Sequence, residues 1–251
     1  MLKAAFALAA IVLLASATPP PVGPVPPAKP ATDASPVPEP KPQSPIAEPA
    51  PTASGKDDET ARSAPESPAE QAACLKALTE SGATFKTVTP KDDPGACGIE
   101  RPVELSEPVP GVTLDPPAVL RCEAALEMTT WTRDVVLPVA RRAYPDRQVK
   151  TLANASSYIC RNRNSAETGK VSEHARGNAI DISAITFSNG TSLPMKPRGE
   201  DSDMDGAFQR SLTAAACLYF TTVLSPGSDA THQDHLHLDV LERRGGFRYC
   251  R

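Results

Sequence analysis

The chain has 251 residues with 26 basic and 30 acidic side chains, a net charge of −4. That balance argues against the strongly basic surface that nucleic acid or an anionic membrane face would call for. Six cysteines without a Cys-x-x-Cys pair argue equally against a thiolate zinc site or a thioredoxin-like redox motif.

In chain order, the first segment reads as an export signal. Lys3 supplies a positive start, Ala4 to Ala15 an apolar run, and Ala15-Ser16-Ala17 a small-x-small cleavage site. The run is shorter than the about 20 residues of a bilayer-spanning helix, so no stable membrane insertion is expected once residues 1–17 are removed. In an oxidising compartment Cys74, Cys97, Cys122, Cys160, Cys217 and Cys250 read as three disulfides, and the sequence does not choose their pairing. Residues 18–68 are rich in Pro, Ala, Ser, Glu and Lys and contain no aromatic residue, which predicts a disordered, semi-rigid linker.

The folded domain is expected over residues 69–251. A helix is predicted over Ala69 to Ser81, stopped by Gly82, and short strands over Val103 to Leu105 and Val112 to Leu114. Pro116-Pro117 opens an expected helix from Ala118 to Thr130, and Val135 to Tyr144 continues helically with a kink or fresh start at Pro138. Strands follow at Val149 to Ile159 and Ala179 to Phe187. Asn189-Gly190 predicts a type I′ hairpin returning through Thr191 to Met195. Phe208 to Leu224 is expected to be a helix ended by Pro226-Gly227, and Leu236 to Leu241 the last strand. The sum is an α+β domain with a mainly antiparallel sheet flanked by helices, and with Trp131, Tyr144 and Phe208 in its core.

All four histidines fall in two short segments, His174 in the run to Asp181, and His232, His235 and His237 near the C-terminus. Two histidines and a carboxylate with one open position make a catalytic rather than a closed zinc arrangement. On a strand His235 and His237 project from one face, so one can bind metal while the other stands by as a proton acceptor. Asp201, Asp203 and Asp205 alternate near a glycine, but lack the glutamate of a calcium loop and read as the solvated start of a helix. Glu173 is expected to face solvent.

Ser172-x-His174-x-x-Gly177-x-Ala179-x-Asp181 followed by His235-x-His237 resembles the D-alanyl-D-alanine carboxypeptidases and murein endopeptidases that share the Hedgehog-type fold. More closely, Cys74 to Arg251 resembles the bacterial extensin-like C-terminal domain, through Tyr158 to Asn164, His174 to Asp181, Leu224 to His237 and Tyr249-Cys250. The resemblance implies a zinc ion held by His174, Asp181 and His237, with His235 as general base and His232 as a further proton-transfer group. It implies that Arg161 or Arg163 binds a substrate carboxylate or oxyanion. Asp234 stands where the carboxypeptidases carry glutamate, which places the chain nearer the endopeptidases, where histidine does that work. The implied protein is a hydrolase of peptide cross-links in peptidoglycan, acting on its peptide stems in the periplasm or cell envelope. The alternative is a non-catalytic, zinc-stabilised module for wall binding or assembly. The oligomeric state is not legible.

Overall fold

The computed structural model describes residues 66–251. The expected signal (1–17) and the linker as far as residue 65 lie outside the described residues. Among the described residues no helix is long and apolar enough to cross a membrane.

Helix α1 spans Pro68–Glu80. Ser67 caps it by accepting from the Glu70 amide, while the Glu70 carboxylate accepts from the Ser67 amide, and Pro68 fits the first turn, where an N–H would have no partner. Strand β1 (Thr84–Thr87), which the sequence reading missed, pairs antiparallel with β2 (Val103–Glu107). Strand β3 is Thr113–Asp115 and β4 is Ala118–Leu120. The helix expected from Ala118 therefore starts later, as α2 at Cys122–Trp131. Ala118 and Leu120 alternate with Val119 and bury completely as β4 pairs with β2, a period-2 pattern that overrides the helix-opening proline signal.

At Pro138, where a kink or fresh start is expected, a separate α segment begins one residue earlier, at Leu137. Residues Thr132–Val136 form a π turn, in which the Leu137 amide donates to the Thr132 carbonyl, and α3 (Leu137–Ala143) follows directly. A wide turn just ahead of the proline absorbs the missing N–H of the ladder. Strand β5 (Val149–Ser156) ends three residues before its expected limit.

Strand β6 (Ala179–Phe187) has the expected bounds and turns into β7 (Ser192–Pro194). The turn is not type I′. That turn needs positive φ at both central residues, whereas here only Gly190 takes it, at 82°, closing a longer loop whose Gly190 amide donates to the Phe187 carbonyl. Helix α4 runs over Met204–Ala216, capped by Asp203, so it starts before Phe208 and ends well short of Leu224. Thr222–Leu224 instead forms β8, because Val223 is needed inside the sheet. Strand β9 is Leu236–Asp239 and β10 is Tyr249–Cys250.

The result is α+β. A three-stranded sheet has the order β1-β2-β4, and a seven-stranded sheet the order β10-β8-β9-β6-β5-β3, with β7 also on β6. Only β10–β8 and β3–β5 are parallel. One face of the larger sheet, through Leu152, Ile180, Ile182, Leu236 and Leu238, joins Met128, Trp131, Phe208 and Leu212 of the helices in a single core. Tyr144 packs edge-on against Phe187 and Phe208, and Trp131 Nε1 donates to the Leu212 carbonyl. The disulfides are Cys74–Cys122, Cys97–Cys160 and Cys217–Cys250, and no cysteine is free among the described residues.

The turn entering β6 depends on Gly177. It has φ 72°, and a Cβ there would lie 2.3 Å from Ile99 Cδ1 and 3.0 Å from the Arg121 amide nitrogen. Gly177→Ala is expected to cost about 2–4 kcal/mol from left-handed strain plus overpacking. Gly190→Ala, with nothing within 4 Å, should cost only about 1 kcal/mol. Denaturant unfolding of the two variants checks this; equal losses would show that the Ile99 contact does not matter.

Candidate metal centre

The run Ser172 to Asp181 is a short 3₁₀ turn feeding a strand. Ser172 caps the turn Glu173–Arg176 by accepting from the His174 amide, and Gly177 closes it in the left-handed conformation. Two residues into β6 stands Asp181, whose cross-strand partner on β9 is His237. Because side chains alternate, Ile180, Ile182, Leu236 and Leu238 go to the core while Asp181, His237 and Asp239 share the opposite face. The turn sets His174 against that face.

The three groups converge. His174 Nε2 lies 3.2 Å from His237 Nδ1 and 3.2 Å from Asp181 Oδ2, and His237 Nδ1 lies 2.8 Å from Asp181 Oδ1. A tetrahedral ion with ligands at about 2.0 Å sets them roughly 3.3 Å apart, and the three pairs lie at or a little inside that spacing. All three residues are buried, and together they form a group that could hold a metal ion.

The outward nitrogens decide what faces inward. His174 Nδ1 is 2.8 Å from the Ser157 carbonyl, which can only accept, so Nδ1 carries the hydrogen and Nε2 offers a lone pair. His237 Nε2 is 3.2 Å from the Asp239 carboxylate, which likewise leaves His237 Nδ1 as the inward donor atom. Asp239 accepts in turn from the Leu241 amide. Imidazoles held from behind by a carbonyl and a carboxylate are the usual outer support of a metal ligand. Two lone pairs and a carboxylate facing one another at these distances repel unless a proton or a cation lies between them.

The titration shifts agree. Burial opposes ionisation of Asp181, but the His174 and His237 rings beside it outweigh burial and hold the carboxyl far below its ordinary range. Burial also opposes charging of His237, yet its bonds to Asp181 and Asp239 prevail and raise it to about 9. Asp239 is buried too, and the His237 bond holds its carboxyl low. The centre therefore retains one positive charge, and a divalent ion would compete with that proton.

A cleft of about 520 Å³ opens beside the group, and all four histidines line it. His235 Nε2 stands 3.8 Å from Asp181 Oδ1, while its Nδ1 bonds Asp234 at 2.9 Å. Asp234 itself points away, its side chain 89% exposed. His232 Nδ1 is 2.8 Å from both oxygens of Asp229. Burial lowers the His232 pKa against the pull of Asp229, whose own carboxyl falls to about 2: burial resists that fall, but bonds from Thr231 and His232 overcome it.

Arg161 and Arg163 both border the cleft. Arg163 sits 3.7 Å from Glu173, whereas among the described residues no carboxylate lies within ion-pair distance of Arg161. Glu173 does not face solvent as expected. It is buried and accepts from Asn178 Nδ2 at 2.7 Å, which ties the 3₁₀ turn to the start of β6. Asp203 caps α4 and Asp205 accepts from the Tyr144 hydroxyl, so the aspartate series is a helix start. Sequence reasoning gave no site role to Asp229, Asp239, Arg243 or Tyr249. Asp239 carried a signal, lying two residues beyond His237 on the same strand face, and Asp229 and Tyr249 lie in segments that carry the family resemblance.

The fold and site thus define an α+β domain with a two-histidine, one-carboxylate candidate metal centre at the floor of an open cleft. The family model described as "Extensin-like protein C-terminus" matches residues 72–251, and the chain belongs to that family. No curated protein and no solved structure matches it significantly.

Two outcomes are expected. If the group holds a divalent metal ion, His174→Ala, Asp181→Ala or His237→Ala should abolish its binding in a chelator competition with zinc as the probe ion, and Asp239→Asn should weaken it about 10- to 100-fold; unchanged affinity in Asp181→Ala would contradict the assignment. The second concerns pH. His237 holds its proton up to about 9 in the fold against 6.5 in the unfolded chain, so this stability is full below 6.5 and lost as pH rises towards 9. The melting temperature of the metal-free domain should fall across that window and change less when zinc has displaced the proton; a rise in the metal-free protein would show the coupling is absent.

Proposed function

We propose that the domain is a zinc-dependent hydrolase of peptide cross-links in peptidoglycan, working in the periplasm. The observation carrying this reading is the convergence of His174, Asp181 and His237 at the floor of a cleft that also holds two carboxylate-oriented imidazoles. The likeness of the Ser172–Asp181 and His235–His237 motifs to the carboxypeptidase and murein endopeptidase pattern supports it. So do the three disulfides, which suit an exported protein.

Zinc, when bound, supplies Lewis acidity that activates water near neutral pH and polarises a carbonyl oxygen. The chain's own residues do the rest. His174, Asp181 and His237 would hold the ion, with the Ser157 carbonyl and Asp239 fixing the two rings. Asp234 keeps the hydrogen of His235 on Nδ1, which leaves Nε2 free to take a proton beside the centre and deliver it to the leaving amine. His232, oriented by Asp229, provides a second proton-handling ring 5.1 Å from that of His235. Arg161, which has no carboxylate within ion-pair distance among the described residues, suits a substrate carboxylate or the developing oxyanion. The exposure of Asp234 favours histidine over this carboxylate as the base.

The test uses murein sacculi incubated with the zinc-loaded protein, with chelator-treated protein and with His235→Ala. Peptide fragments should appear with the first alone, and His235→Ala should lose about 10²–10⁴-fold in rate. Sacculus binding without any change in muropeptides, unaffected by His235→Ala, would instead establish the non-catalytic wall-binding module.

A further inference from the structure

A third arginine borders the cleft. Arg243 follows β9, and its guanidinium is already immobilised: Nη1 donates to the Thr221 carbonyl at 3.0 Å and Nη2 to Thr222 Oγ1 at 2.7 Å. Both partners are neutral, and among the described residues no carboxylate lies within ion-pair distance. A guanidinium has five N–H donors in a rigid fork, so donors remain after these two bonds. The side chain is half-buried, with its charge held at the cleft by the Thr221 carbonyl and the Thr222 hydroxyl rather than free to swing in water. Beside it the wall is completed by Tyr249 on β10, a strand fixed by pairing with β8 and by Cys217–Cys250.

The charge of the cleft gives this arginine a direction. Arg161, Arg163 and Arg243 face four carboxylates, Glu173, Asp181, Asp229 and Asp239. Counted over arginines and carboxylates alone, the lining carries one excess negative charge, which a divalent ion on the triad more than offsets. Glu173 is taken by Arg163 and Asn178, Asp229 by His232, and Asp181 and Asp239 by the centre itself. Among the described residues Arg161 and Arg243 are left as two cations of one cleft with no carboxylate to neutralise them. A guanidinium fork matches a carboxylate better than any other common peptide group.

We propose that Arg243 is a specificity-determining residue: with Arg161 it selects peptides that carry a free carboxylate next to the group bound at the metal centre. The substrate class named here deepens the hydrolase reading and rests on it for the reaction, but the anion preference is a binding property that can be measured without turnover.

The experiment is calorimetric titration of the full-length, zinc-loaded protein with two probes, N-acetyl-alanyl-alanine and its C-terminal amide. The acid should bind about 10- to 100-fold more tightly than the amide, the range of a hydrogen-bonded charge pair. R243Q should cut that preference below about 3-fold while its zinc affinity stays near that of the wild type. R243K keeps the charge but loses the fork, and should retain less than about a third of the preference; if R243Q does not fold, R243K decides by that criterion. Equal binding of acid and amide by the wild type overturns the proposal. So does a preference unchanged in R243Q, which would place the carboxylate on the metal or on Arg161 alone. A preserved preference with no cleavage of sacculi would sink the hydrolase reading and leave this one standing.

Discussion

Asp181 and His237 meet because β6 and β9 run antiparallel with these two residues directly in register. Cross-strand partners hold their Cβ atoms about 4.5–5.5 Å apart, which brings a carboxylate and an imidazole into contact without a long loop to place them. A one-residue slip would turn Asp181, His237 and Asp239 towards the core and send Ile180 and Leu238 to the cleft. The apolar packing of the other face prevents that slip. The core residues Ile180, Ile182, Leu236 and Leu238 therefore fix the geometry of a polar site from the opposite face of the sheet.

The third ligand comes from a different kind of element, and the sequence around it makes physical sense residue by residue. Ser172 caps the turn, His174 points in, Gly177 takes a conformation other residues resist, Ala179 is small enough to vanish into the sheet, and Asp181 follows on the site face. Behind His174, the Ser157 carbonyl lies on a loop that the Cys97–Cys160 bridge fastens to the segment below the turn, where the Gly98 amide donates to the Ala175 carbonyl. Charge closes the arrangement. Two inward lone pairs and a carboxylate require one positive charge among them, and a proton on His237 or a metal ion can supply it.

What the sequence made legible follows the same logic. Several elements survived: α1 to within a residue at each end, β6 to the residue, and the α+β class. The helix expected at Ala118 failed because β2 needed a partner and two alternating apolar residues supplied it, a long-range demand that local signals do not carry. The overrun of α4 into Thr222–Leu224 has the same cause, since an apolar face suits helix and strand alike until a neighbour chooses. At the site, the clustering of the histidines was legible in the sequence, and the set of His174, Asp181 and His237 came from the resemblance of the motifs. The disulfide pairing, the burial of Glu173, and the roles of Asp229 and Arg243 depend on loops whose paths no periodicity specifies.

X-ray absorption at the zinc edge, on the oxidised protein loaded with one equivalent of zinc, probes the centre most directly. Two imidazole nitrogens and one carboxylate oxygen at about 2.0–2.2 Å are expected, with the imidazole signal reduced in His174→Ala and His237→Ala. Zinc that does not bind stoichiometrically, or a first shell unchanged when either histidine is removed, would contradict a metal centre at this place in the fold.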